Sequence, residues 1–291
     1  MSLLGFGSAA LLAGDTRDSG TFLVRRFVRI YVPLIVCLAV ALGVQAIIGT
    51  ADVTRHTVLD LLGLTGFIGL LGVPHTGSTG GGLWFVTAIL AMYLLLPLLR
   101  RLFQHRWGLA HLIVIVAACI AANRVFYTDE NWNVVIAFCI GAYLAVSGRL
   151  EALLRRPAWM CGVAAAALLV ICGLATWGVI PHWIRLLLFP FWPLAFMPLF
   201  FAAGSRLPRW IARPVGLFAL VSYEFYILQF YFINRSLTAL TNISSPLVLM
   251  VVSGFVLTLA FAALLYLLDS RLRAGIEGYL LGQKRAGARR S

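Results

Sequence analysis

The 291-residue chain is 62% hydrophobic and only 11% charged, with a mean hydropathy of +0.96. Soluble domains carry about 25% charged residues, so a water-soluble globular class is excluded and a polytopic membrane protein is expected. The formal charge of +13 would suit a nucleic-acid partner in a soluble protein; in a membrane protein it is the mark of cytoplasmic loops, and no nucleic acid is inferred.

A spanning helix needs roughly 20 apolar residues. On that measure the chain reads as a partial span at 1–13, followed by spans at 28–48, 82–100, 107–123, 132–147, 157–178, 184–204, 214–235 and 246–268. The first stretch lacks a basic leader and runs into an arginine-rich loop, so it is not a cleavable signal peptide. Connections are short and no internal repeat is visible. This predicts one all-α transmembrane bundle over 1–269 and a basic cytoplasmic tail over 270–291.

Lysine and arginine counts in alternate connections set the sidedness. One side receives Arg17, Arg25, Arg26 and Arg29, the groups 100–106, 149–156 and 206–213, and the six basic residues from Arg271 onward. That is 19 of the 23 basic residues, with only Arg55, Arg124, Arg185 and Arg235 on the other side. The richer side is expected to be cytoplasmic, in a plasma membrane. The stretch 58–73 is short, glycine-interrupted and contains Asp60. Letting it cross would flip every later connection and weaken the split to 16 against 7, so it is expected to be re-entrant or interfacial. Nine spans with a cytoplasmic C-terminus put residue 1 outside, which leads to the expectation of one preceding helix.

In chain order, the first constellation is Arg25, Arg26 and Arg29 at the mouth of the span "FVRIYVPLIV". Arg26 and Arg29 are three apart and share a helix face. They can anchor the helix in anionic headgroups, or hold phosphate oxygens through their forked guanidiniums; composition does not separate the two. Next, "HTGSTGGGLWF" places His75 before a glycine run that ends at Trp84, an interfacial anchor or a cavity-lining residue. "FPFWPLAFMP", with Pro190, Pro193 and Pro198, must be kinked or broken. Arg124 and Arg185 are rare outer-side charges that could meet an anionic or sugar acceptor.

The late stretch "VSYEFYILQFYFINR" is the most polar of the spans. Glu224 is read as the only carboxylate well inside any span, and intramembrane carboxylates are functional candidates. At 100° per residue Glu224, Tyr231 and Arg235 share one stripe, and Ser222, Tyr226 and Gln229 the opposite one. A helix polar on both sides is expected to be central. The five cysteines (Cys37, Cys119, Cys139, Cys161, Cys172) lie in apolar runs without a CxxC pair, and the five histidines lack ligand spacing, so no metal site is read.

Three of these stretches, in this order, resemble the integral-membrane acyltransferase 3 family. "FLVRRFVRIYVPLIV" is similar to the family's R-x-x-R pair followed by a proline. "GLWFVTAILAMYLLLPLLRRL" is similar to its Trp-Phe helix, and "FALVSYEFYILQFYFI" to its late Ser-Tyr helix. The resemblance implies transfer of an acyl group, commonly acetyl, from cytoplasmic acyl-CoA to a hydroxyl of a cell-envelope glycan or lipid-linked sugar. It places Arg26 and Arg29 near the donor, and matches Trp84, Ser222 and Tyr223 to the cavity, where Glu224 and Tyr226 are further candidates. His75, Arg124, Arg185 and Arg235 are acceptor-side candidates. The family's catalytic histidine, a general base, sits on a first helix that the charge count places before this chain. Gln229 stands where many members have a histidine. A chain so read could be inactive as given. The other readings left open are a transporter or flippase of a lipid-linked sugar or small solute, and a non-catalytic scaffold for envelope assembly.

Overall fold

A computed structural model describes residues 19–49, 53–70, 83–126, 129–179, 181, 184, 188–204, 206–241 and 247–288. Every regular element among them is helical. In order these are α1 (Ser19–Ile48), α2 (Arg55–Leu61), α3 (Thr65–Leu70), α4 (Trp84–Gln104), α5 (Gly108–Phe126), α6 (Asp129–Val146), α7 (Arg149–Leu154) and α8 (Ala158–Thr176). A 3-10 turn (Phe189–Phe191) leads into α9 (Trp192–Gly204), followed by α10 (Arg209–Thr241) and α11 (Leu247–Ala288).

Helices are what hydrocarbon allows, because each backbone N–H and C=O is satisfied inside its own segment. Among the described residues five are long and apolar enough to cross a membrane: Gly20–Ile47, Trp84–Gln104, Ala158–Thr176, Arg209–Gln229 and Val252–Tyr279. Gly108–Asn123, Trp132–Val146 and Phe189–Gly204 are shorter apolar helices. The chain is an all-α polytopic bundle. The partial span expected at 1–13 lies outside the described residues.

The described backbone separates into two compact units, one from the residues within 88–209 and one from those within 19–87 and 210–288. In the first, α5 packs on α6 and α9 on α8. Phe138 and Ala142 are fully buried, Tyr93 tilts against Phe138 at 6.4 Å, and Phe103 meets Tyr143 edge-on at 5.7 Å. The proline-rich stretch is broken as its sequence demands. Pro190 sits in the 3-10 turn, Pro193 and Pro198 are buried in α9, and Phe189, Trp192 and Phe196 stack in succession at 5.1 Å.

In the second unit α1 packs against α11. Leu34, Cys37 and Leu38 of α1, Ile227 and Leu228 of α10 and Ala262 of α11 are fully buried. α11 has 42 residues, about 63 Å at 1.5 Å per residue, roughly twice the hydrocarbon thickness. The segment from residue 270, expected as a tail, is to Ala288 the continuation of this helix. α10 is central only in part, since residues 212–220 are exposed while Val221, Glu224, Phe225, Ile227 and Leu228 are buried.

The segment 58–73, described to residue 70, takes in the end of the 7-residue α2 and the whole of the 6-residue α3. At about 10 Å and 9 Å, neither reaches across a core of about 30 Å. Gly63, at φ +68°, supplies the left-handed turn between them. Polar bonds hold the pair down. Thr65 donates to the buried Asp60, Thr87 Oγ1 donates to Gly63 O at 2.6 Å and accepts from Gly66 N at 2.8 Å, and Tyr31 Oη donates to Leu62 O at 2.8 Å. A Cβ on Gly66 would sit 2.8 Å from Thr87 Cβ and 2.9 Å from Trp84 O. Gly66→Ala should therefore overpack this contact and lower stability by about 1–3 kcal/mol, read as a lower melting temperature in detergent; an unchanged melting temperature would show that the two helices are not held at this contact.

Candidate functional site

The candidate residues that the structure brings together lie in the unit built from residues within 19–87 and 210–288. On α1, Arg26 is half-buried with its guanidinium 5.6 Å from the Phe22 ring. Arg29 is exposed, and Arg25 has a buried Nε without a hydrogen-bond partner. One turn on, Tyr223 of α10 donates to Ile30 O at 3.2 Å, so the late Ser-Tyr helix is tied to the arginine helix next to Arg29. Trp84 is half-buried and stands edge-on to Phe85, whose ring meets Tyr226 at 5.6 Å and 75°. Ser222 spends its hydroxyl on Ala219 O at 2.9 Å, the back-bond a serine makes inside a helix.

Glu224 is 1% exposed. It is not the only buried carboxylate of the spans, which corrects the sequence reading. Asp269, one residue past the end assigned to the last apolar run, is fully buried on α11. Arg273, assigned to the basic cytoplasmic tail, has a side chain only 15% exposed. Its Nη2 lies 2.9 Å from Asp269 Oδ1 and 3.6 Å from Glu224 Oε1, and its guanidinium covers the Tyr266 ring at 5.4 Å. The reason is helical. Asp269 and Arg273 are four residues apart on a helix that does not stop at its first charge. Cys37 is fully buried on α1. Glu224 Oε2, Asp269 Oδ2 and Arg273 Nε remain without hydrogen-bond partners.

A second buried polar cluster was not read from the sequence. His56, Thr57, Asp60, Thr65 and Thr87 are all buried around the short helices α2 and α3. Its one sequence signal is an aspartate in an otherwise apolar segment. Of the acceptor-side candidates, His75 and Arg185 lie outside the described residues, as do the side chains of Arg124 and Arg235 and that of Tyr231. Among the described residues, no group of three or more His, Cys, Asp or Glu could hold a metal ion.

A helical membrane bundle with arginines, aromatic residues and a buried charge cluster on neighbouring helices is the class this geometry defines. The profile of the acyltransferase domain of the acyltransferase 3 family matches residues 3–267, and the chain belongs to that family. It is a membrane acyltransferase. No curated protein and no solved structure matches the chain.

The cluster also yields a stability test. Arg273→Met would leave two buried carboxylates without their cation, a loss of about 3–5 kcal/mol for a buried pair broken on one side. Asp269→Asn, which leaves Glu224 and Arg273 to offset one another, should cost clearly less. Thermal unfolding of both variants in detergent measures the difference, and equal losses would contradict the pairing.

Proposed function

We propose that this acyltransferase takes its acyl group, acetyl by family resemblance, from acyl-CoA on the cytoplasmic side of the plasma membrane. The acceptor is a hydroxyl of a cell-envelope glycan or a lipid-linked sugar. The observation that carries the donor reading is the arginine group on α1, fastened to α10 through Tyr223 and Ile30. Arg26 and Arg29 hold the donor's phosphates, for which the guanidinium fork is suited. Trp84, Tyr223 and Tyr226 line the path of the thioester into the bundle, Glu224 stands further in, and Ser222 supports that turn of α10. His75, Arg124, Arg185 and Arg235 belong to the acceptor side.

The chemistry is an exchange of one bond for another. The acceptor oxygen attacks the thioester carbonyl, the C–S bond breaks, and the hydroxyl proton is made good on the departing CoA thiol, so no net proton is released. The 19 to 4 distribution of basic residues supports placing the arginine end of α1 and the C-terminus together in the cytoplasm.

Charge-assisted bonds to phosphate contribute about 1.5–3 kcal/mol each. Arg26→Ala and Arg29→Ala should each weaken acetyl-CoA binding by about ten-fold or more, and lysine at either position should restore it only in part. Binding to the purified full chain in lipid nanodiscs is the measurement. If both alanine variants insert normally and bind donor as the parent does, the arginines are only an anchor and the donor site lies elsewhere.

A further inference from the structure

Contacts in the second unit close a ring of four elements. Tyr223 of α10 donates to Ile30 O of α1 at 3.2 Å. The next residue of α1, Tyr31, donates at 2.8 Å to Leu62 O, at the turn between α2 and α3. Thr87, in the first turn of α4, donates to Gly63 O at 2.6 Å and accepts from Gly66 N at 2.8 Å. Phe85, in the same turn of α4, meets the Tyr226 ring of α10 at 5.6 Å, and Tyr226 shares a helix face with Tyr223. Three sides of the ring are the arginine helix, the Trp-Phe helix and the Ser-Tyr helix. The fourth is the α2–α3 pair, which none of the three motifs contains.

That pair is built with its polar side inward. Val58, Leu62, Leu64 and Phe67 are exposed, while His56, Thr57, Asp60 and Thr65 are buried. The apolar side suits hydrocarbon, and the polar side is turned into the unit. Leu62 O meets α1 near the middle of its 30 residues, a depth at which irregular backbone is tolerated only where protein or a water-filled cavity covers it. Two hydroxyls supply the polar cover: that of Tyr31, whose ring stacks on Phe27 at 5.7 Å, and that of Thr87, which is buried. The fit beside Thr87 is close. Trp84 is the first residue of α4, and a Cβ on Gly66 would stand 2.9 Å from its carbonyl oxygen.

We propose that Thr87 and Tyr31 are positioning residues of the acyl transfer. Their hydroxyls seat the α2–α3 pair as the fourth wall of the donor site, and that wall fixes the Trp84 turn of α4 on the path of the thioester. The role rests on the acyl-CoA reading above, in which Arg29, two residues from Tyr31, holds a phosphate and Trp84 lines the path. Neither hydroxyl exchanges a proton with substrate; each acts through the backbone it holds. Misplacement by about 1 Å at a distance from the chemistry can slow a reaction on the order of 100-fold.

The test has two arms, both on the full chain in nanodiscs. Thr87→Val keeps the shape of the side chain but leaves Gly63 O and Gly66 N buried without their partner. Amide hydrogen exchange over residues 63–67 should become about ten-fold or more faster in that variant, and Thr87→Ser should restore the parent rate. In the second arm Thr87→Val should bind acetyl-CoA as the parent does, because Arg26 and Arg29 are untouched, while kcat falls by about ten-fold or more; Thr87→Ser should recover most of it. Tyr31→Phe, which removes only the bond to Leu62 O, should show both changes at smaller size and serves where Thr87→Val does not fold. Parent-like exchange in Thr87→Val overturns the seat. Faster exchange with parent-like kcat, donor binding lost in step with kcat, or no recovery by Thr87→Ser overturns the positioning role. A parent that neither binds nor consumes acetyl-CoA overturns the donor reading, while the exchange arm still decides the seat.

Discussion

Arg273 stands between two carboxylates that hydrocarbon would not accept alone, and the arrangement of the second unit depends on that fact. The pairing needs α10 and α11 side by side at the level of Glu224 and Asp269. α1 packs on α11 and is bonded to α10 through Tyr223. The helix bearing the arginines is thereby held beside the helix bearing the buried acid. A charge cluster of this kind is weak as a source of net stability, because desolvation offsets most of the attraction. Its effect is on register: slide α11 by one turn and Glu224 is left without its cation.

Local rules made much of this fold legible in advance. Apolar runs near the spanning length became helices, and three prolines within nine residues broke the stretch they occupy. What was not legible is pairing across the sequence. Asp269 ended the assigned span because hydropathy cannot distinguish a charge that faces a partner from one that faces water. Its bond is to Arg273, four residues on, and that arginine in turn lies 3.6 Å from Glu224 on another helix. The same holds for Gly66, whose need to lack a side chain is set by Thr87, 21 positions away. Asp60 counted in the sequence only as a reason not to span; its buried bond from Thr65 depends on the turn at Gly63.

The candidate site was legible where a residue's chemistry is expressed within one helix. Arg26, Trp84, Tyr223, Glu224 and Tyr226 lie in one unit of the structure. The exposure of Arg29 and the buried Nε of Arg25 were not, because the direction of each arginine depends on packing around α1 rather than on their spacing.

A donor bound by arginines on one side and an acceptor hydroxyl met within the bundle make a single chemical claim, the movement of an acyl group from sulfur to oxygen. The most direct measurement supplies membranes containing the protein with acetyl-CoA labelled in its acyl group. The account predicts label in base-labile esters of envelope glycan or lipid-linked sugar, with one free CoA thiol formed for each ester. Acetyl-CoA left intact while a sugar-lipid or solute crosses the membrane would contradict it.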